Sequence, residues 1–161
     1  MALTYEPIAT QTLGSTQASV IFSSISSSYT DLVLIYNITQ DVAAGIGAQV
    51  NGDTGTNYSY TQLYGTGTSA LSNRGTNTNY LGIGFTDSTT VRSIGQVHFM
   101  NYSNTTTHKT VISRTSSNFM TSIQGNLWRN TAAINSITMI IPGPNNFLSG
   151  STFTLYGIKA A

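Results

Sequence analysis

The sequence predicts an all-β fold, an antiparallel two-sheet β-sandwich of jelly-roll-like character, in one domain spanning residues 1–161. Three observations predict it. Helical periodicity is nearly absent. Short runs rich in β-branched and aromatic residues recur between clusters of Gly, Asn, Asp and Ser, which is the strand signal. Several of those runs alternate with period two, as strands do when one face of a sheet is buried.

Taken in order, strands are expected near Ile8–Leu13, Ala18–Ile25, Asp31–Thr39, Ala48–Val50, Tyr58–Leu63, Tyr80–Phe85, Ser93–Tyr102, Lys109–Thr115, Met120–Trp128, Ile134–Ile141 and Thr152–Ile158. In the third, Leu32, Leu34, Tyr36 and Ile38 share a face opposite Asp31, Val33, Ile35 and Asn37. In the ninth, Ile123, Gly125 and Leu127 oppose Ser122, Gln124 and Asn126; in the tenth, Ile137, Met139 and Ile141 oppose Ser136, Thr138 and Ile140. The apolar side of each is expected to face the core. Asn51-Gly52 predicts a tight two-residue turn, because both residues tolerate positive φ. Asn101–Thr107 reads as the tip between two strands, and Pro142-Gly143-Pro144-Asn145-Asn146 as a loop, since proline cannot donate to a central ladder. Gly65–Gly84 is irregular and glycine-rich and is expected to be a long surface loop. About eleven strands at this spacing imply two packed sheets.

Composition narrows the function classes. Only 7% of the residues are Asp, Glu, Lys or Arg, against roughly 25% in ordinary soluble domains. Thr and Ser take their place, 26 and 20 residues respectively, while 39% of the chain stays hydrophobic. At a formal net charge of +1, little repulsion keeps copies apart. A Ser/Thr/Asn surface is also readily buried, because no ion has to be desolvated. Both features suit a protein packed against others. There is no cysteine, which excludes disulfides and thiolate metal sites. No apolar run approaches the ~20 residues of a membrane span, and Met1–Pro7 lacks the basic and apolar regions of a signal peptide.

Motifs that carry chemistry are scarce. Neither a nucleophile elbow nor a phosphate-cradling glycine loop occurs. His98 and His108 flank a predicted hairpin, but none of Glu6, Asp31, Asp41, Asp53 and Asp87 lies at a ligand-like local spacing from either. Asn51–Gly55 lacks the acidic density of a calcium loop. The Thr-x-Thr pairs have irregular gaps and build no solenoid. The sequons at Asn37, Asn57, Asn101 and Asn104 are what chance provides in so Ser/Thr-rich a chain. Arg74, Arg92, Lys109, Arg114, Arg129 and Lys159 are scattered, against the dense patch that nucleic acid requires. No cofactor, metal, small-molecule substrate, nucleic acid or membrane is therefore expected as a partner, and an enzyme ranks lowest among the function classes.

Three groups of residues resemble the small virion proteins of tailed bacteriophages, cyanophage-type ones especially. The first is Pro7–Ser15 with Ala18–Ile25 and Tyr29–Leu34. The second is Asn51–Ser59, and the third Met100-Asn101-Tyr102 with Lys109-Thr110-Val111 and Gly150–Lys159. The resemblance covers most of the chain and rests on structural motifs. It implies a β-sandwich acting as a capsid decoration or cement protein. Such a protein would be assembled in the host cytoplasm, sit on the outer capsid surface of the virion, and bridge subunits of the major capsid protein. A homo-oligomer is expected with it, a trimer favoured over a dimer. Residues 1–7 are a candidate N-terminal arm, and Leu3, Tyr5, Pro7, Arg74, Trp128 and Arg129 are candidate subunit contacts. The alternative is a receptor- or glycan-binding head of a tail fibre or spike, with Tyr58, Tyr60, Tyr64 and Trp128 as aromatic platforms.

Overall fold

The computed structural model describes residues 5–86 and 90–159. The described residues form twelve β-strands and no helix: β1 Tyr5–Thr12, β2 Ser19–Phe22, β3 Asp31–Ile38, β4 Ala44–Val50, β5 Tyr58–Gly65, β6 Ala70–Thr78, β7 Leu81–Thr86, β8 Ser93–Phe99, β9 Lys109–Ser116, β10 Thr121–Trp128, β11 Ile137–Ile140 and β12 Thr152–Ile158. They make an eight-stranded sheet, β1-β12-β3-β8-β9-β10-β5-β6, and a four-stranded sheet, β2-β11-β4-β7. Every pairing is antiparallel. The chain is a β-sandwich, as expected. The eight-plus-four division supports the sandwich and leaves the jelly-roll path unsupported.

The two sheets share one core. Leu32, Leu34, Tyr36 and Ile38 of β3 point inward as their alternation predicts, joined by Val97, Phe99, Val111, Phe153 and Leu155 of the same sheet. Val20, Phe22, Ile46, Ala48, Val50, Leu81, Ile83, Ile137 and Met139 come from the small sheet. Asn51 and Gly52 hold φ of 53° and 67°, and Asp53 N–H donates to Val50 O at 2.9 Å, so the predicted tight turn is present. The Asn101–Thr107 tip is locked by Asn104, whose Oδ1 accepts from the N–H of Thr106 and of Thr107 at 2.7 and 2.9 Å.

Tyrosines stand over glycines throughout the sandwich. A Cβ on Gly157 would collide with the Tyr29 ring, one on Gly95 with Tyr36, and one on Gly47 with Tyr80; Gly75 and Gly82 both lie against Tyr60. Glycine in a strand interior packs nothing of its own, and here the vacated volume admits a tyrosine ring from a neighbouring strand, from the segment just before one or, at Gly82, from the facing sheet, the arrangement known as aromatic rescue.

Three sequence expectations are corrected. Gly65–Gly84 is not a long loop. It holds the whole of β6 and the start of β7, joined to β5 by a hairpin in which Thr66 N–H donates to Ser69 O at 3.0 Å. β6 is an edge strand with almost every residue exposed, so no buried apolar face marks it in the sequence. The ends of several strands also move. β2 and β11 are only four residues each, β4 starts at Ala44, and β8 stops at Phe99 because Asn101 turns the chain at φ 48°. The third correction, the inverted facing of β10, bears on function.

Candidate functional site

On β10 the side predicted to face the core faces solvent. Ile123 is 51% exposed, whereas Ser122, Gln124 and Asn126 are buried at 3–4%. Trp128 decides this. It shares the parity of residues 122, 124 and 126, and its bulk lies in the core at 1% exposure. The inward polar row extends onto β9 through Ser113 and Thr115. Among the described residues, Ser113 Oγ, Ser122 Oγ, Gln124 Oε1 and both amide atoms of Asn126 find no hydrogen-bond partner. Burying such groups unpaired costs about 1–3 kcal/mol each.

The counterpart is an outer face of the large sheet on which exposed aliphatic side chains lie among polar ones. One cross-strand row runs through all eight strands: Thr10, Thr154, Ile35, Gln96, Arg114, Ile123, Leu63 and Ser72. Ile94 flanks it on one side and Ile112 on the other. These three isoleucines outside β10 and Leu63 are all more than 40% exposed. A shallow groove between β10 and the β5–β6 hairpin is lined by Leu63, Leu71, Ile123 and Arg114. The Arg114 guanidinium is held flat along the sheet, Nε donating to Gln96 Oε1 at 2.9 Å. The sequence reading missed Ile35, Ile94, Ile112 and Leu63. The parity of Trp128 was the signal that could have found Ile123 and its neighbours.

The sequence candidates do not assemble into one contact. Tyr5, Pro7 and Arg74 are exposed, but Tyr5 and Pro7 sit on β1 and Arg74 on β6, the opposite edges of the eight-stranded sheet. Seven inter-strand spacings separate them, roughly 34 Å. The candidate arm is not free over its described part: Tyr5, Glu6 and Pro7 belong to β1 and pair with Ile158, Gly157 and Tyr156. Leu3 and the rest of residues 1–4 lie outside the described residues. Arg129 is spent inside the fold, Nη2 donating to Thr56 O at 2.6 Å and to Asn77 Oδ1 at 3.0 Å.

Trp128, expected to fill either the core or a subunit contact, lies in the core. It stacks on Tyr58 with ring centroids 6.4 Å apart and 19° between planes, and Tyr58 is itself fully buried. Of the four aromatic platforms proposed from sequence, these two offer no ring face to a sugar, and Tyr60 is laid against Gly75 and Gly82. The Trp128 indole donates to Asp53 Oδ2 at 2.7 Å. Desolvation alone would raise the Asp53 pKa. The hydrogen bonds from Trp128, Asn57 and Gly55 outweigh it and hold the carboxyl below its ordinary value. The Tyr58 hydroxyl donates to Asp53 O at 2.7 Å, and burial pushes its pKa up to about 12. Lys109 is buried beside this corner. Its ammonium donates to Thr107 O and Thr131 O at 2.8 and 3.0 Å, and desolvation lowers its pKa.

One contact of titratable groups was invisible from local spacing. His98 Nε2 lies 2.9 Å from Asp31 Oδ2, because β3 and β8 are neighbours, and Asp31 Oδ1 accepts the Asn101 N–H. His108 is exposed just before β9. Among the described residues no three of His, Asp and Glu converge to hold a metal. No family model matches the chain, and no curated protein matches it either.

Proposed function

We propose that this chain is a structural β-sandwich of a tailed-phage particle, a decoration protein seated on the outer capsid surface through the outer face of its large sheet. The observation that carries the reading is the inverted facing of β10, together with β9 beside it: the two strands turn Ile123 and Ile112 to solvent and bury Ser122, Gln124, Asn126 and Ser113. A cover over the outer face removes the isoleucines from water at about 25 cal/mol per Å². The face is large enough: eight strands of seven to nine residues span roughly 34 by 25 Å, comparable with the ~800 Å² per partner of a stable interface.

The partner we assign is the major capsid protein, the one implied by the resemblance of Pro7–Ser15, Asn51–Ser59 and Gly150–Lys159 to phage virion proteins. Arg114, Arg74 and His98 are the ionisable residues in its central rows, so few ions must be desolvated on docking. Bound copies stabilise only the assembled shell, by mass action. The tail-head alternative has less support, since its Tyr58 and Trp128 platforms are inside the core.

Purified particles of the source phage test the reading. The chain is expected in hundreds of copies, located on the head. A variant carrying Ile112→Lys and Ile123→Lys keeps its fold, because both side chains are already exposed, and its head occupancy is expected to fall about tenfold or more. Absence from particles, a few dozen copies on the tail, or full occupancy by the double variant would each overturn it.

A further inference from the structure

We infer that β6 is a self-association edge, through which two copies pair antiparallel about a two-fold axis at Ser72 and join their large sheets into one. This inference stands on the edge geometry and does not depend on the particle reading.

The two edges of the eight-stranded sheet differ. At β1 pairing is blunted: Pro7 has no N–H, and the register shifts between Pro7 and Ala9, both devices that protect an edge. Among the described residues β6 pairs with no strand other than β5, and it has neither device over Ala70–Gly75. Its irregularity comes later, at Asn77, which has φ 54° and is held by Arg129.

The direction of the free groups follows from the ladder. Antiparallel pairs alternate between residues bonded to the partner and residues bonded outward. The Thr66–Ser69 bond closes the hairpin, which makes Gly65–Ala70, Leu63–Ser72 and Thr61–Arg74 the pairs that point their backbone groups away from β5. The Arg74 N–H agrees: it is closed on Asn73 Oδ1 at 2.7 Å, a local substitute for a strand partner. Ala70 and Ser72 thus present N–H and C=O groups to solvent, and Arg74 its C=O, while its N–H is held by Asn73 Oδ1.

A second copy fits this edge in one symmetric register. With Ser72 opposite Ser72 of the second copy, Ala70 faces Arg74 in both directions, giving about four backbone hydrogen bonds, and about six once Asn73 releases the Arg74 N–H in each copy. The two Arg74 side chains, the charges on this edge, are then offset by four residues, roughly 14 Å, beyond the screening length of ~8 Å. Leu71, 46% exposed on an edge strand, becomes the diagonal neighbour of Leu71 in the second copy, within the reach of ~7–8 Å over which cross-strand pairs cover one another. On the outer face, the Ile123–Leu63–Ser72 row continues across the axis into its mate. A two-fold contact closes at a dimer, in place of the trimer expected from sequence.

Sedimentation of the full chain at about 100 μM, well above a micromolar dissociation constant, is expected to give a dimer. Amide exchange at Ala70, Ser72 and Arg74 should be slowed and should quicken on dilution. Ser72→Pro removes an outward N–H without touching the β5 ladder, so it should give a folded monomer that melts where dilute, dissociated wild type does, with no dependence on concentration. Leu71→Lys, which leaves every backbone group in place, should weaken the dimer at least tenfold. Ile112→Lys with Ile123→Lys should leave it intact, which separates this edge from the outer face. A wild-type monomer, a trimer, or a dimer that survives Ser72→Pro with fast exchange along β6 would overturn the inference.

Discussion

Gly95→Val is expected to abolish the folded state, lowering stability by about 4 kcal/mol or more, which places it among the exceptional single substitutions. Gly95 pairs with Tyr36 across β3 and β8, and any Cβ there falls deep inside the Tyr36 ring. The ring has nowhere to go. Its hydroxyl is bonded to Thr115 Oγ1 at 2.6 Å and donates to Ile83 O at 3.3 Å. A Cβ on Gly84 of the facing sheet would already lie 2.5 Å from that hydroxyl, so the ring is sandwiched between the sheets at 1% exposure. Overpacking of a rigid site is relieved only by shifting backbone, and here that backbone belongs to both sheets. Soluble yield and thermal melting read the effect; a Gly95→Val protein melting within a few degrees of wild type would contradict this account of the core. Gly125→Val serves as the control. Gly125 lies on the outer face of the same sheet with nothing near its Cα to strike, so the substitution should cost little.

Asp53→Ala is expected to destabilise the chain by about 2–3 kcal/mol, because it leaves the Trp128 indole N–H without its acceptor. For a domain of this length that corresponds to a melting temperature lower by roughly 4–12 °C. The loss is local: Asn57 Nδ2 and Gly55 N–H also donate to this carboxylate, at 3.0 and 2.9 Å, so the turn following Asn51-Gly52 loosens as well. Asp53→Asn retains an acceptor and should recover about half of the loss. The acid limb carries an independent signature. The Asp53 pKa is lower in the folded chain than in the unfolded one, so the unfolded state binds more protons as pH falls. The contribution is therefore complete above the unfolded carboxylate range near ~4 and is lost as pH falls through the folded value. Asp41, lowered by the Asn146 backbone and side-chain amides, behaves in the same sense. Melting temperature against pH should fall below about pH 4 in wild type, and less steeply in Asp53→Asn. An identical acid limb in both would remove Asp53 from the account.

Residues whose facing depends only on their own strand were legible in the sequence. Leu32, Leu34, Tyr36 and Ile38 are buried as their alternation predicts, because four large apolar groups on one parity leave no competing choice. Asn51-Gly52 turns as its chemistry requires. β10 was misread because Ile123, Gly125 and Leu127 are only marginally more apolar than their opposites, and the deciding residue, Trp128, stands at the end of the run. β6 escaped notice because an edge strand with solvent on both sides has no pattern to show. The candidate contacts were legible as surface residues at Tyr5, Pro7 and Arg74, yet nothing in the chain order places them on opposite edges.

By itself the sequence determined an all-β sandwich, its turns and most of its strands, since period-two alternation and turn chemistry are properties of neighbouring residues. The tertiary structure decided which parity of β9 and β10 is sealed, which tyrosine lies over which glycine, and that one sheet edge is blunted while the other is open. Those outcomes depend on what stands across a gap of about 10 Å between sheets, and residues distant in the chain, such as Tyr36, Gly84 and Gly95, meet only once both sheets have closed.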